Sequence, residues 1–185
     1  ARSNDERNKL KDGPFFVACS FPDGTVNRST ESQPDGLMLA VLDIDQAQWS
    51  KPFIESPESI GEALYPLNFV AFQTAKYCPS WPRIKIVVPV VPCPVDRLLR
   101  ILGHLAGRLG IPRDGYDRVS QTPKQPHYRP MQFLGEPYTA VMCSRTNGEE
   151  LDSDDLSDEG DDPDLGGYAY TGTGDNDLCS LPILD

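Results

Sequence analysis

Leu37-Met38-Leu39-Ala40-Val41-Leu42-Asp43-Ile44-Asp45 decides the reading of this chain. An unbroken apolar run followed by Asp-Ile-Asp predicts a buried strand that ends in two carboxylates. Side chains i and i+2 of a strand share a face, so Asp43 and Asp45 emerge side by side where the strand leaves the core. Adjacent carboxylates repel unless a cation or a shared proton lies between them. At a strand end, hard oxygen ligands of this kind suit Mg²⁺ or Mn²⁺. An isolated Asp-x-Asp also fits a solvated turn, so the surrounding pattern has to decide.

Upstream of that run, Gly13-Pro14 opens a strand over 15–21, and Pro22-Asp23-Gly24 is a hairpin turn signal. The return strand over 25–29 carries Arg28, and Gln33-Pro34-Asp35-Gly36 is a loop. Downstream, 46–55 reads as a connector. Ser56-Pro57-Glu58 then starts a short helix over 56–64, with Ser as N-cap and Pro at the first position, stopped by Pro66. Residues 68–74 predict a second apolar strand. A third, over 83–88, alternates Arg83 and Lys85 with Ile84 and Ile86 and is closed by Pro89, Pro92 and Pro94.

The helix over 95–109 has an apolar face of Val95, Leu98, Leu99, Leu102, Leu105 and Leu109, with Gly110 as its terminator. Arg97, Arg100, His104 and Arg108 fall on the other side, as a solvated face or a nucleic-acid contact. A loop-rich stretch over 111–130 leads to a last strand over 136–144. The fold class expected is α/β in the α+β sense. A mixed, largely antiparallel sheet carries Asp43 and Asp45 at its open face, and helices 56–64 and 95–109 pack behind it.

Charge divides the chain. Residues 1–145 hold 15 acidic residues against all 17 Lys and Arg, a net of +2, whereas 146–185 hold 13 acids and no base. The formal charge of −11 therefore belongs to the tail. Residues 149–164 (EELDSDDLSDEGDDPD) carry too little apolar surface to order themselves. The expected organisation is a flexible arm over 1–12, a folded domain over 13–146 and a disordered acidic tail over 147–185. The tail fits solvated disorder, or imitation of nucleic-acid charge; in the second case truncation after about residue 146 would strengthen DNA binding. Cys19, Cys78, Cys93, Cys143 and Cys179 form no Cys-x-x-Cys pair, which points to reduced thiols in the cytoplasm. No stretch approaches the roughly 20 apolar residues of a membrane span, and no signal-peptide pattern opens the sequence.

Other chemistries lack their motifs. There is no phosphate loop with Lys-Ser or Lys-Thr and no Gly-x-Ser-x-Gly elbow. His104 and His127, the two histidines, are too far apart for a His-x-His metal pair. What remains is an order of motifs. Arg28 in a hairpin precedes Asp43-Ile-Asp45 and a helix; Phe72-Gln73-Thr74-Ala75-Lys76-Tyr77-Cys78-Pro79 follows. Then come Pro82-Arg83-Ile84-Lys85-Ile86-Val87-Val88-Pro89, a helix ending Arg108-Leu109-Gly110, Tyr116-Asp117, and Tyr128-Arg129-Pro130.

That order resembles the primase-polymerase domains of the archaeo-eukaryotic primase superfamily, especially those of phage and plasmid replication proteins, over roughly residues 13–152. The resemblance implies a template-directed nucleotidyltransferase working on single-stranded DNA and nucleotides. Asp43, Asp45 and Asp117 would be catalytic ligands of Mg²⁺ or Mn²⁺, although Asp117 also fits a turn residue. Arg83, Lys85, Lys76 and Arg28 would hold phosphates. The family's second motif commonly ends in a histidine; Thr74-Ala75-Lys76-Tyr77 stands there instead. The competing reading is a catalytically degenerate protein on the same fold. It would bind DNA or a replication partner such as a replicative helicase, with the acidic tail as contact or DNA mimic.

Overall fold

The computed structural model describes residues 15–22, 34–74, 80–128 and 141–156. The expected central run is strand β3 (Gly36–Ile44), which follows the short strands β1 (Phe15–Phe16) and β2 (Cys19–Ser20). Helices α1 (Ala47–Glu55) and α2 (Glu58–Ala63) lead to β4 (Phe69–Gln73) and β5 (Ile84–Cys93). A 3₁₀ turn (Val95–Arg97) runs into α3 (Leu98–Arg108), and another (Arg118–Gln121) precedes β6 (His127–Tyr128). Strand β7 (Val141–Arg145) and a last 3₁₀ turn (Ser153–Asp155) complete the order.

The protein is α+β. Five strands form one sheet in the order β2-β3-β5-β4-β7, and β1 pairs with β6 in a separate ribbon; every one of these ladders is antiparallel. Exposure alternates along β5, with Ile84, Ile86, Val88 and Val90 buried and Lys85, Val87 and Pro89 half-buried. Ala40, Leu42 and Ile44 of β3 join that buried set, and Leu98, Ile101, Leu102, Leu105 and Ala106 of α3 close over it as one core. Full burial of each Leu or Ile is worth about 1.5–3 kcal/mol, so this layer is a large contributor to the fold's stability. Helix α3 ends as expected at Gly110, whose φ of 66° sets a left-handed terminator. The Ile111 amide donates to Ala106 O at 2.8 Å and the Gly110 amide to Gly107 O at 3.1 Å, which satisfies two end carbonyls.

Several expectations shift. The connector over 46–55 is helix α1, despite Pro52 inside it. The buried Ser50 hydroxyl, 2.6 Å from Pro82 O, fastens it to the segment entering β5. Strand β5 continues through Pro89 and Pro92, where closure was expected. Its ladder with β3 shifts register between Leu37 and Leu39, which lets a residue without an N–H sit in the strand. Ser56 donates its hydroxyl to Glu58 at 2.6 Å instead of capping a backbone amide.

The arginines of α3 are not a solvated face. Arg108 Nε donates to Ala63 O at 2.9 Å and Arg100 donates to Leu156 O, while Arg97 of the preceding 3₁₀ turn lies 3.8 Å from Asp154.

The folded body also passes the expected limit at residue 146. Glu149 bridges Leu67 and Leu151 bridges Val90, both in parallel. Leu151 and Leu156 are buried. A Cβ at Gly148 would collide with the Pro66 carbonyl oxygen, so only glycine lets the chain approach that closely. Sparse as they are, the apolar residues of this acidic stretch are spaced to reach the core edge. The arm over 1–12, the hairpin strand over 25–29 and the chain beyond 156 lie outside the described residues. No helix among the described residues is long and apolar enough to cross a membrane.

Candidate functional site

Strand β3 runs antiparallel to β5 with Ile44 opposite Ile84 and Asp43 opposite Lys85. The two isoleucines are fully buried, so the flanking residues point away from the core in register. Opposite charges meet there. Lys85 is ion-paired and hydrogen-bonded to Asp43, with side chains only 12% and 15% exposed. Arg83 Nη1 lies 3.4 Å from Asp45 Oδ2, at 27% and 31% exposure. The Asp-Ile-Asp of one strand and the Arg-Ile-Lys of the other are thus a charge-complementary pair of strand ends.

Strand β2 pairs only with the start of β3, at Leu37 and Gly36. The far end of that edge is taken by the segment after α3. Asp117 N donates to Asp43 O at 2.7 Å, and Asp43 N donates to Ser120 Oγ at 2.9 Å. Ser120 N in turn donates to Asp117 O at 2.9 Å, which closes the turn. A third carboxylate is thereby brought to the same corner. Burial pushes the Asp45 carboxyl up; Arg83 opposes this, while Asp117 and Asp43 reinforce it by repulsion.

Two residues to which the sequence reading gave no role at the site belong to this corner. Trp81 donates its indole N–H to Asp45 O at 2.8 Å, with Arg83 Cζ 5.9 Å from its ring centroid and half of the residue exposed. Its position two residues ahead of Arg83, where β5 is entered, was the available signal. His127 is 1% exposed, its ring 5.6 Å from that of Phe16, and its Nδ1 has no hydrogen-bond partner. Burial first, and then the charge of Lys85, lowers its pKa to about 3. Nothing local in Gln125-Pro126-His127-Tyr128 announces a buried neutral imidazole under the lysine.

Of the residues picked from sequence, Asp43, Asp45, Asp117, Arg83 and Lys85 come together. Arg28, Lys76, Arg129 and Pro130 lie outside the described residues. Oxygen donors of this kind suit a hard divalent cation. However, Asp43 and Asp45 are already engaged by bases, and among the described residues no three His, Cys, Asp or Glu side chains are grouped to hold one ion.

A groove of about 950 Å³ lies elsewhere, lined by Glu62, Tyr65, Phe69, Cys143 and Arg145 among others. Its cation is spent on structure: Arg145 donates to Gly61 O at 3.0 Å and lies over the Tyr65 ring at 5.0 Å. None of the acidic corner lines it, and the concave shape alone does not outweigh the charge arrangement at the strand ends. No family model, curated protein or solved structure matches this chain.

Proposed function

We propose that the chain is a template-directed nucleotidyltransferase of the primase-polymerase type, acting in the cytoplasm on single-stranded DNA and nucleoside triphosphates during phage or plasmid replication. One observation carries this reading: carboxylates from segments distant in the chain meet beside two cations at the end of a sheet. Lys85 and Arg83 bind the triphosphate, and Asp43, Asp45 and Asp117 offer the oxygen ligands for Mg²⁺ or Mn²⁺. When bound, such an ion would neutralise the phosphates and help align a 3′-oxygen with the α-phosphate.

The chain's own part is an exchange of partners. Lys85 and Arg83 would turn from carboxylate to phosphate oxygens, leaving Asp43 and Asp45 as the residues that would hold a divalent cation. Lys76 and Arg28 join as phosphate contacts on the strength of the family resemblance alone. Calorimetric titration of nucleoside triphosphate with and without Mg²⁺ or Mn²⁺ tests this, beside primer extension on single-stranded template. Asp43→Ala should abolish the enhancement by metal while leaving metal-free nucleotide binding intact, because it also releases Lys85. Metal enhancement that survives the substitution would refute the assignment.

A second reading has its own support. Asp43 and Asp45 are each paired with a base of the chain itself, as a protein that kept the fold and lost the reaction would have them. Such a protein would bind DNA or a replication partner, for example a replicative helicase, through its acidic tail. Folded wild type that incorporates no nucleotide with either metal, yet captures a partner only with its tail present, would favour it.

A further inference from the structure

We propose that Trp81 is the platform on which the base of the bound nucleotide stacks. This rests on the reading above that Lys85 and Arg83 hold the triphosphate. Six large apolar residues are exposed among those described: Phe15, Met38, Tyr65, Trp81, Val91 and Val141. Of these, Trp81 is the one bonded to the acidic corner; its indole N–H donates at 2.8 Å to the main-chain oxygen of Asp45. The same Asp45 pairs through its side chain with Arg83, whose guanidinium carbon lies 5.9 Å from the indole centroid.

The ring is therefore tied by one edge to the end of β3, beside the cation assigned to phosphate, with 51% of the residue open to solvent. A tied ring loses little further freedom when a ligand arrives, which favours stacking over a freely turning side chain. A nucleotide is built the same way, anionic at one end and flat and aromatic at the other. Every base has a π-face, so a stack of this kind adds affinity without choosing among bases. Tyr65, the most exposed of the other rings, lines the separate groove, which none of the acidic corner lines.

Trp49 and Trp81 are the only tryptophans, so Trp49→Phe leaves emission that reports on Trp81 alone. The probes are ATP, inorganic tripolyphosphate and a short oligothymidylate, each with Mg²⁺. ATP should quench that emission saturably and bind about tenfold more tightly than tripolyphosphate. Trp81→Ala should reduce ATP to the affinity of tripolyphosphate without changing the latter, and Trp81→Phe should keep most of the difference. If tripolyphosphate binds but ATP binds no better, or if Trp81→Ala weakens both equally, the stack is refuted while the phosphate site stands. If neither binds, the phosphate site and the stack fall together. A loss confined to oligothymidylate would overturn the assignment by giving Trp81 to the strand.

Discussion

Acid should find His127 first. The residue is 1% exposed, its Nδ1 has no partner, and its pKa falls to about 3 from the ordinary 6.5. The folded state therefore keeps the imidazole neutral, while the unfolded chain protonates it below pH 6.5. Stability from this group is fully present above that value and drains away as pH falls toward 3. At 1.36 kcal/mol per pKa unit, the two units between 6.5 and pH 4.5 cost about 2.7 kcal/mol. Fixing the neutral form isolates the effect. His127→Phe keeps a ring against Phe16, removes the orphan nitrogen and cannot titrate; at pH 7 it should lie within about 1.5 kcal/mol of wild type. Urea unfolding at pH 7 and pH 4.5, read by tryptophan emission, gives both values. Between the two pH values, wild type should lose about 2–3 kcal/mol more than the variant. Other acidic and basic groups titrate alike in both proteins and cancel in that difference. Parallel losses would refute the argument, because they would mean that the imidazole is solvated or acquires a partner when charged.

The Asp43–Lys85 pair should show strong coupling. Asp43→Asn and Lys85→Met should each cost about 2–4 kcal/mol, and the double variant at least about 1 kcal/mol less than their sum. Strict additivity in the same urea assay would mean that the ion pair does not form in solution. Leu151→Ala should cost about 2–4 kcal/mol, because residue 151 is 5% exposed against the core edge. A chain cut after Thr146 should melt several degrees below one cut after Leu156, and equal melting temperatures would detach residues 149–156 from the body.

The central strand was legible because period and chemistry agreed: apolar residues filled 37–42, and charge began where the core ended. The basic strand was legible too, since Arg83 and Lys85 alternate with isoleucines that turn out fully buried. What sequence could not supply was register. Placing Asp43 against Lys85 and Asp45 against Arg83 needs the pairing of strands separated by two helices and another strand. The helix over 47–55 was hidden by Pro52, which reads as a breaker until Ser50 is seen fixed to Pro82 O. The arginines of α3 looked solvated because helical periodicity says nothing of other segments. Two of them donate to backbone carbonyls at the end of α2 and beyond β7. Composition likewise spoke for the average of 149–164 and missed Leu151 and Leu156, which the body reaches.

The ion pairs bear on how a site of this kind can stay ready. Three carboxylates at one corner without counter-charge would repel one another, and folding would have to protonate one of them or splay the strand end. Lys85 and Arg83 remove that need by reaching across to them, although burial, reinforced by Asp117 and Asp43, still pushes the Asp45 carboxyl up. A partly buried ion pair gains little net stability, since desolvation offsets attraction. Opening one is correspondingly cheap when each partner passes to another opposite charge. A triphosphate with its divalent cation presents both charges at once; phosphate alone, or metal alone, presents one and strands a partner. On the proposed reading, the arrangement would favour joint arrival of nucleotide and metal over either singly. Asp43 and Lys85 lie within β3 and β5, and Asp45 and Arg83 directly adjoin them, so the proposed exchange would need little more than side-chain rotation.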